Sequence, residues 1–160
     1  MASPVREPGI MRIKPHHFVD ILVAWGEGTR AFAPHPCGHM LHAVAERAWR
    51  ERDLTLEFTA GADEICTPCM HNIGGACDDG LDPAMHGGEA SKGAYNRALD
   101  GRWMERLGLA EGQKMRAEDY CLLLRDRSGD IGPIYPAQGN DENEARKKAL
   151  LKGVSEYLAR

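Results

Sequence analysis

The chain has 160 residues, of which 42% are hydrophobic and 28% are charged, and its formal net charge is -4. This length suits one domain, and no apolar run approaches the ~20 residues of a membrane-spanning helix. Since no signal peptide is predicted either, we expect a cytoplasmic protein with no membrane partner. In that reducing compartment an odd number of cysteines, five, favours metal ligands, catalytic groups or buried core positions over disulfides.

The first predicted elements follow a lead-in with two prolines at residues 1–9, which has no periodicity. The segment "MRIKP" alternates apolar and basic residues as a short strand does, and Pro15 ends it. Apolar residues recur at helical spacing in "HHFVDILVAWG" and, after a connector rich in glycine and proline, in "HMLHAVAERAWRERD". These patterns predict one strand and two amphipathic helices.

The best strand pattern is "LTLEFT", which alternates with a period of two and is predicted to pair with the first strand. A loop rich in glycine, aspartate and proline follows the cysteine-containing segment and extends to residue 91. Three helices are then predicted, in "KGAYNRALDGRWMERLGL", "AEDYCLLLRDR" and "NDENEARKKALLKGVSEYLAR", the last with an Asn or Asp cap. The sequence thus predicts an α+β fold, a mostly helical single domain over residues 10–160 with a small two- or three-stranded sheet.

The segment "ICTPCMHNIGGAC" places Cys66, Cys69 and Cys77 in a glycine-rich loop. Thiolates suit zinc or iron–sulphur clusters, and two cysteines separated by two residues in a turn can direct both sulphurs at one centre. Burial as small apolar residues is a weaker interpretation, because polar loops seldom contribute to a core. A redox dithiol would need Cys66 at a helix start, yet "MHNIGG" is a poor helix. We therefore predict a metal site, with zinc and a cluster both open.

The charges near these cysteines bear on the partner. Residues 61–90 contain six acidic residues and no lysine or arginine. Such a loop repels phosphates, so we exclude nucleic acid as the main partner. A small-molecule substrate or a redox protein remains, and the acidic loop is suited to docking a basic protein surface.

Two histidines, His16 and His17, follow Pro15 at the strand-to-helix junction, where an imidazole can transfer protons or can simply cap the helix and pack. With these residues, the motifs "MRIKPHH", "GEG", "LTLEFT" and "GADEICTPC" resemble a family of small bacterial and archaeal proteins described as iron–sulphur proteins, with no established reaction. The resemblance extends from residue 11 to about residue 110. It implies an iron–sulphur cofactor, a [4Fe–4S] cluster, bound through the cysteine loop.

This chain departs from the family pattern at two places. The family tends to have a cysteine where this chain has Asp20, and it often ends in a cysteine-rich segment that is absent here. An inserted segment, "APHPCGH", brings Cys37 into a proline-bound loop, so we predict Cys37 as the fourth ligand. Cys121 is the alternative, although its apolar stretch "EDYCLLL" is typical of a buried cysteine.

Three function hypotheses follow from the fourth ligand. If one iron is open or held weakly by Asp20 or a histidine, the cluster acts as a Lewis acid in a lyase, hydrolase or desulphurising enzyme, with His16 or His17 moving protons. If four thiolates close the site, the protein is an electron carrier. A zinc site that only stabilises the fold is the third hypothesis. The spacing of His35, His39 and His42 predicts that they share one helix face, which is either a second metal site or a solvated surface.

Overall fold

The computed structural model describes residues 9–160 and has an α+β architecture, with five α-helices and two small sheets in that range. The elements are β1 (Ile10–Ile13), α1 (Pro15–Gly26), α2 (Leu41–Arg50), β2 (Thr55–Phe58), β3 (Asn72–Ile73), β4 (Ala76–Cys77), α3 (Lys92–Leu107), β5 (Lys114–Arg116), α4 (Ala117–Arg127) and α5 (Asn140–Ala159). The predicted fold class is confirmed. The predicted lead-in at residues 1–9 lies outside the described residues, apart from Gly9.

The three-stranded sheet has the order β1-β2-β5, with β1 and β2 parallel and β5 antiparallel to β2. Met11 and Ile13 of β1 are buried beside Leu56 and Phe58 of β2, which is the register that the alternating sequence pattern requires. The predicted pairing of these two segments is therefore present. The third strand, β5, has only three residues and carries no alternating apolar pattern that would reveal it.

Helices α1 and α5 form the closest helix pair of the core. Pro15 is the first residue of α1, where its fixed φ suits the helix and its missing N–H is not needed. The two helices approach so closely that a Cβ at Gly26 would overlap the backbone of Ala149, and one at Gly153 would overlap the backbone of Leu22. This contact holds α1, and with it the two histidines of its first turn, against the rest of the core.

Two loop features differ from the sequence predictions. The predicted Asn or Asp cap of α5 is wrong, because the N-cap is Gly139 and no side chain bonds the free amides. Instead, the negative charges of Asp141 and Glu142 in the first turn interact favourably with the positive end of the helix dipole. The sequence analysis also missed the β3–β4 hairpin, whose turn residues Gly74 and Gly75 both have positive φ, and a 3-10 helix at Pro83–Met85. No helix in the described part of the chain is long and apolar enough to cross a membrane.

Candidate metal centre

Two loops that are distant in sequence, at residues 31–40 and 65–70, pack against each other. They carry Cys37, Cys66 and Cys69, and Cys77 lies on the β3–β4 hairpin that follows the second loop. The amide of Met70 donates to the backbone oxygen of Cys37 at 2.8 Å, and the amide of Met40 donates to the backbone oxygen of Ile65 at 3.0 Å. Gly38 has a φ of +85°, which favours glycine, and a Cβ there would make a tight contact of 3.3 Å with the backbone oxygen of Pro68. The loop at residues 31–40 is therefore fixed onto the loop at residues 65–70.

This packing brings Cys37 to Cys69, whose sulphurs are 3.4 Å apart. Cys69 belongs to a turn in which its amide donates to the backbone oxygen of Cys66 at 2.9 Å. Two thiolates bound to one tetrahedral metal at about 2.3 Å lie about 3.8 Å from each other, whereas disulfide sulphurs are about 2.05 Å apart. The separation in this protein is close to that of two ligands on one metal atom.

Two imidazoles flank the same sulphur. Ligand atoms of His35, Cys37 and His39 all lie within 4.8 Å of one another, and the two rings stack with centroids 4.6 Å apart. Burial, reinforced by the neighbouring His35, lowers the pKa of His39, so this ring is neutral and able to ligate at pH 7. Cys69 adjoins this group through the 3.4 Å contact of its sulphur with that of Cys37.

Cys77 reaches this region through the β3–β4 hairpin. Gly93, near the start of α3, packs under the hairpin, since a Cβ there would lie 2.6 Å from the backbone oxygen of Cys77. Burial raises the pKa of the Cys69 thiol, and Cys37 and Cys77 raise it further through thiol hydrogen bonding and charge repulsion. A cation bound between these thiols would relieve this repulsion.

Cys66 has different neighbours. Its sulphur lies 3.6 Å from the ammonium of Lys14, a residue that is only 6% exposed. Burial, together with the charge of Asp63, nevertheless raises the pKa of the Cys66 thiol to about 12. Without a metal this thiol is therefore protonated at neutral pH, and a metal that binds it must displace the proton.

Asp63 organises the segment around Cys66. One carboxylate oxygen accepts from the amides of Ile65 and Cys66 at 3.0 Å each, and the other accepts from the amide of Lys14 at 2.8 Å and from Nδ1 of His17 at 2.7 Å. Burial disfavours the ionised carboxylate, but His17 and these amides outweigh it and hold the pKa of Asp63 well below its usual range. Both oxygens are already used, so Asp63 orients neighbouring groups.

The hydrogen bond to the Asp63 carboxylate requires a proton on Nδ1 of His17, so in the neutral ring Nε2 is the acceptor atom. His17 therefore has the arrangement of a general base or an oriented metal ligand. Its ligand atom, that of Asp63 and the sulphur of Cys66 lie within 4.8 Å of one another. This second group lies on the N-terminus of α1 and on the cysteine loop.

His16 is separate in its role. It is 4% exposed and bonds Oδ1 of Asp100 in α3 twice, from its amide at 2.9 Å and from Nδ1 at 2.8 Å. Burial lowers the pKa of His16, but the hydrogen bond and charge of Asp100 outweigh burial and raise it above the ordinary value. The His16–Asp100 pair joins α1 to α3. The ring centroid of His16 lies 4.4 Å from that of His17.

Three residues that the sequence predicted for the site lie elsewhere. The side chain of Asp20 is 3.7 Å from Arg146 of α5, in an ion pair. Cys121 is fully buried in α4, and burial raises the pKa of its thiol to about 12. Helix α2 begins at Leu41, after His39, so His35 and His39 do not share a helical face with His42. His42 lies instead beside Trp25 and Trp49.

Sequence reasoning also missed residues that shape the site. Asp63 had a recognisable signal, because an aspartate that precedes a cysteine by three residues is typical of a local side-chain turn. Lys14 and Asp100 had none, since their contacts span 52 and 84 residues. Comparisons with protein-family models, with curated proteins and with solved structures found no match to this chain.

Proposed function

We propose that this chain is a metal-binding protein in which Cys37 and Cys69 bind the same metal atom. The single observation that carries the proposal is the 3.4 Å separation of their sulphurs, held by backbone hydrogen bonds between two separate loops. Apolar packing anchors the two loops, since Ile65 is buried in the core and Met40 packs against it, but it does not by itself require this contact between two thiols. A shared metal atom does account for it.

For the complete site we favour a zinc ion bound by two sulphurs, of Cys37 and Cys69, and by two imidazole nitrogens. His35 and His39 have ligand atoms within 4.8 Å of the Cys37 sulphur, and zinc accepts such a mixed tetrahedral set. Nδ1 of each ring accepts from an amide two residues ahead, at 3.1 Å for His35 and 3.4 Å for His39. A metal that binds Nδ1 replaces these weak hydrogen bonds, so metal binding breaks few existing interactions.

An iron–sulphur cluster is the second candidate for the cofactor. It is favoured by Cys66 and Cys77, which lie on the same loop as Cys69, and by the resemblance of the motifs "MRIKPHH" and "GADEICTPC" to a family of iron–sulphur proteins. A [4Fe–4S] cluster takes one thiolate on each iron, whereas a [2Fe–2S] cluster takes two. The close pair of Cys37 and Cys69 therefore suits the smaller cluster, and the larger one requires the two loops to separate.

The test is the metal content and the absorbance of protein purified without oxygen. The zinc site predicts a colourless protein with one zinc per chain, and the cluster predicts iron, sulphide and a broad band near ~400 nm. Cys37→Ser and Cys69→Ser should each lose the metal in both cases. His39→Ala should lose zinc but retain a thiolate-bound cluster. If both cysteine variants retain full metal content, Cys37 and Cys69 do not bind the same metal atom.

An enzymatic role is a second candidate function, and the His17–Asp63 pair favours it. The 2.7 Å bond to Asp63 fixes the tautomer of His17, and its Nε2 can accept a proton from a substrate or from water. The buried ammonium of Lys14, close by on the same turn, can stabilise negative charge that develops there. The class of reaction that fits is a hydrolysis or an elimination started by proton removal.

Activity on a panel of small esters, phosphate esters and thioesters tests this role. His17→Ala should reduce kcat by about 100-fold or more for any substrate that is turned over, as expected for loss of a general base. His86→Ala is the matched control, because that ring also bonds through Nδ1, to the backbone oxygen of Asp82, but lies on the 3-10 helix loop. Equal activity of the two variants excludes His17 as the base.

A further inference from the structure

A cavity of about 680 Å³ lies between the C-terminal end of α1, the loop that follows it and α2. Its apolar wall includes Trp25, which is 2% exposed, and the half-buried Trp49, whose rings meet edge to face at 5.0 Å. Phe32 of the loop adds a third aromatic side chain. The volume lies within the range of about 300–1,000 Å³ that is usual for small-molecule sites.

The charged side chains of the cavity are mostly positive, with four arginines and one glutamate. Arg160 is structural, since its guanidinium donates to three backbone oxygens and covers the ring of Tyr157 at 3.7 Å. Arg50 is 71% exposed and pairs with Glu46, which is 73% exposed, at 3.4 Å. An exposed pair of this kind contributes little stability, so an incoming anion can replace Glu46 at Arg50.

His42 lines the cavity from the first turn of α2 and is only half-buried, so its imidazole adds a polar group to the aromatic wall. An imidazole can donate or accept a hydrogen bond through its ring nitrogens.

We propose that this cavity binds a small anion that carries a flat aromatic ring and has about the size of a nucleoside monophosphate. The anionic group lies at Arg50 and Arg52, where guanidiniums favour phosphate or carboxylate oxygens, and Arg52 is held at the rim by its bond to the backbone oxygen of Arg160. The ring packs against Phe32 and on the guanidinium of Arg30, which covers the ring of Trp49 at 5.3 Å. A polar atom of the ligand bonds the imidazole of His42. The proposal does not depend on the metal site, with which this cavity shares no residue.

The test is a titration of the full-length ¹⁵N-labelled protein with adenosine 5′-monophosphate, followed by NMR of the indole N–H groups. Trp25 and Trp49 line the cavity, whereas Trp103 is buried in α3 and donates to the hydroxyl of Tyr135 at 3.2 Å. We expect the first two indole signals to shift and that of Trp103 to stay. Adenosine and inorganic phosphate, tested separately, should each bind at least about tenfold more weakly, because each lacks half of the recognised groups.

Substitutions at the rim complete the test. Arg50→Ala and Arg52→Ala should each weaken the binding of adenosine 5′-monophosphate about fivefold to tenfold. Both residues are exposed, and circular dichroism checks that the fold is retained, since Arg52 also bonds the backbone oxygen of Arg160. Arg125→Ala is the control, because Arg125 is also exposed, on α4, and forms an ion pair with its neighbour Asp126. The proposal is overturned if no indole signal shifts at about 10 mM ligand, a concentration that reveals even weak sites. It is equally overturned if adenosine binds as tightly as adenosine 5′-monophosphate, or if the control variant weakens binding as much as Arg50→Ala.

Discussion

Asp63→Asn is the substitution that most directly examines the scaffold of the candidate centre. Asparagine has nearly the same shape, but it converts one acceptor oxygen into a donor that faces the amide of Lys14 and Nδ1 of His17. His17 can change its tautomer, whereas the amide of Lys14 cannot and becomes an unpaired buried donor, which costs about 1–3 kcal/mol. The bonds that remain lose their charge assistance, so we expect a total destabilisation of about 3 kcal/mol.

The effect should depend on pH with a definite sign. The pKa of Asp63 in the folded protein lies well below its usual range, because His17 and the backbone amides outweigh burial. In the unfolded chain this carboxyl has a pKa of about 3.9. Its stabilising contribution is therefore complete above that value and is lost as the pH falls toward the folded pKa. The stability difference between wild type and Asp63→Asn should stay constant from about pH 5 to 7 and shrink below about pH 4.

Urea denaturation followed by circular dichroism, on protein kept metal-free with a chelator, measures the difference at neutral pH and near pH 3. A separate thermal denaturation at neutral pH should show a fall in melting temperature of about 6–12 °C. Asp126→Asn is the control, since Asp126 is 61% exposed and bonds only its neighbour, and it should change stability by less than about 0.5 kcal/mol. A loss below about 1 kcal/mol for Asp63→Asn, or an equal loss near pH 3, would refute the reasoning.

Three further predictions concern the core and use the same denaturation assay. Gly153→Ala should destabilise the protein by about 2–3 kcal/mol, because the new Cβ would overlap the backbone of Leu22. Gly101→Ala, with open space around it, should stabilise the protein by about 0.5–1 kcal/mol. Equal effects of the two substitutions would contradict the close contact between α1 and α5. Cys121→Ser should cost about 1–2 kcal/mol by burying a hydroxyl, with unchanged metal content. Arg47→Met should cost about 3 kcal/mol, since Arg47 joins α2 to two carboxylates and to β1; a loss below about 1 kcal/mol would contradict that.

The main elements were predictable because each has a periodic pattern that is local in the chain. The five helices carry apolar stripes or capping signals, and the β1–β2 pair alternates apolar and polar residues. The elements that escaped prediction, β5 and the β3–β4 hairpin, have two or three residues each. Such short strands exist only because a neighbouring strand or a glycine turn holds them, and that information is not local.

The candidate site was predictable to the same depth. A spacing of two residues was enough to predict that Cys66 and Cys69 share a turn, which a 2.9 Å backbone bond closes, but their sulphurs have different neighbours. The inserted segment "APHPCGH" marked Cys37 as a candidate, but nothing in the sequence states its distance from Cys69. That distance depends on how the loop at residues 31–40 packs, and 32 residues separate the two sulphurs along the chain.

The sequence by itself determined which residue types are available, since thiols, imidazoles and carboxylates concentrate in two loops and at the first turn of α1. The tertiary structure alone decided their grouping. It paired Cys37 with Cys69, His17 with Asp63 and His16 with Asp100, and it left Cys121 in the core. The physical reason is that local patterns specify which face of an element is buried, while the meeting of distant side chains follows from the packing of all elements at once.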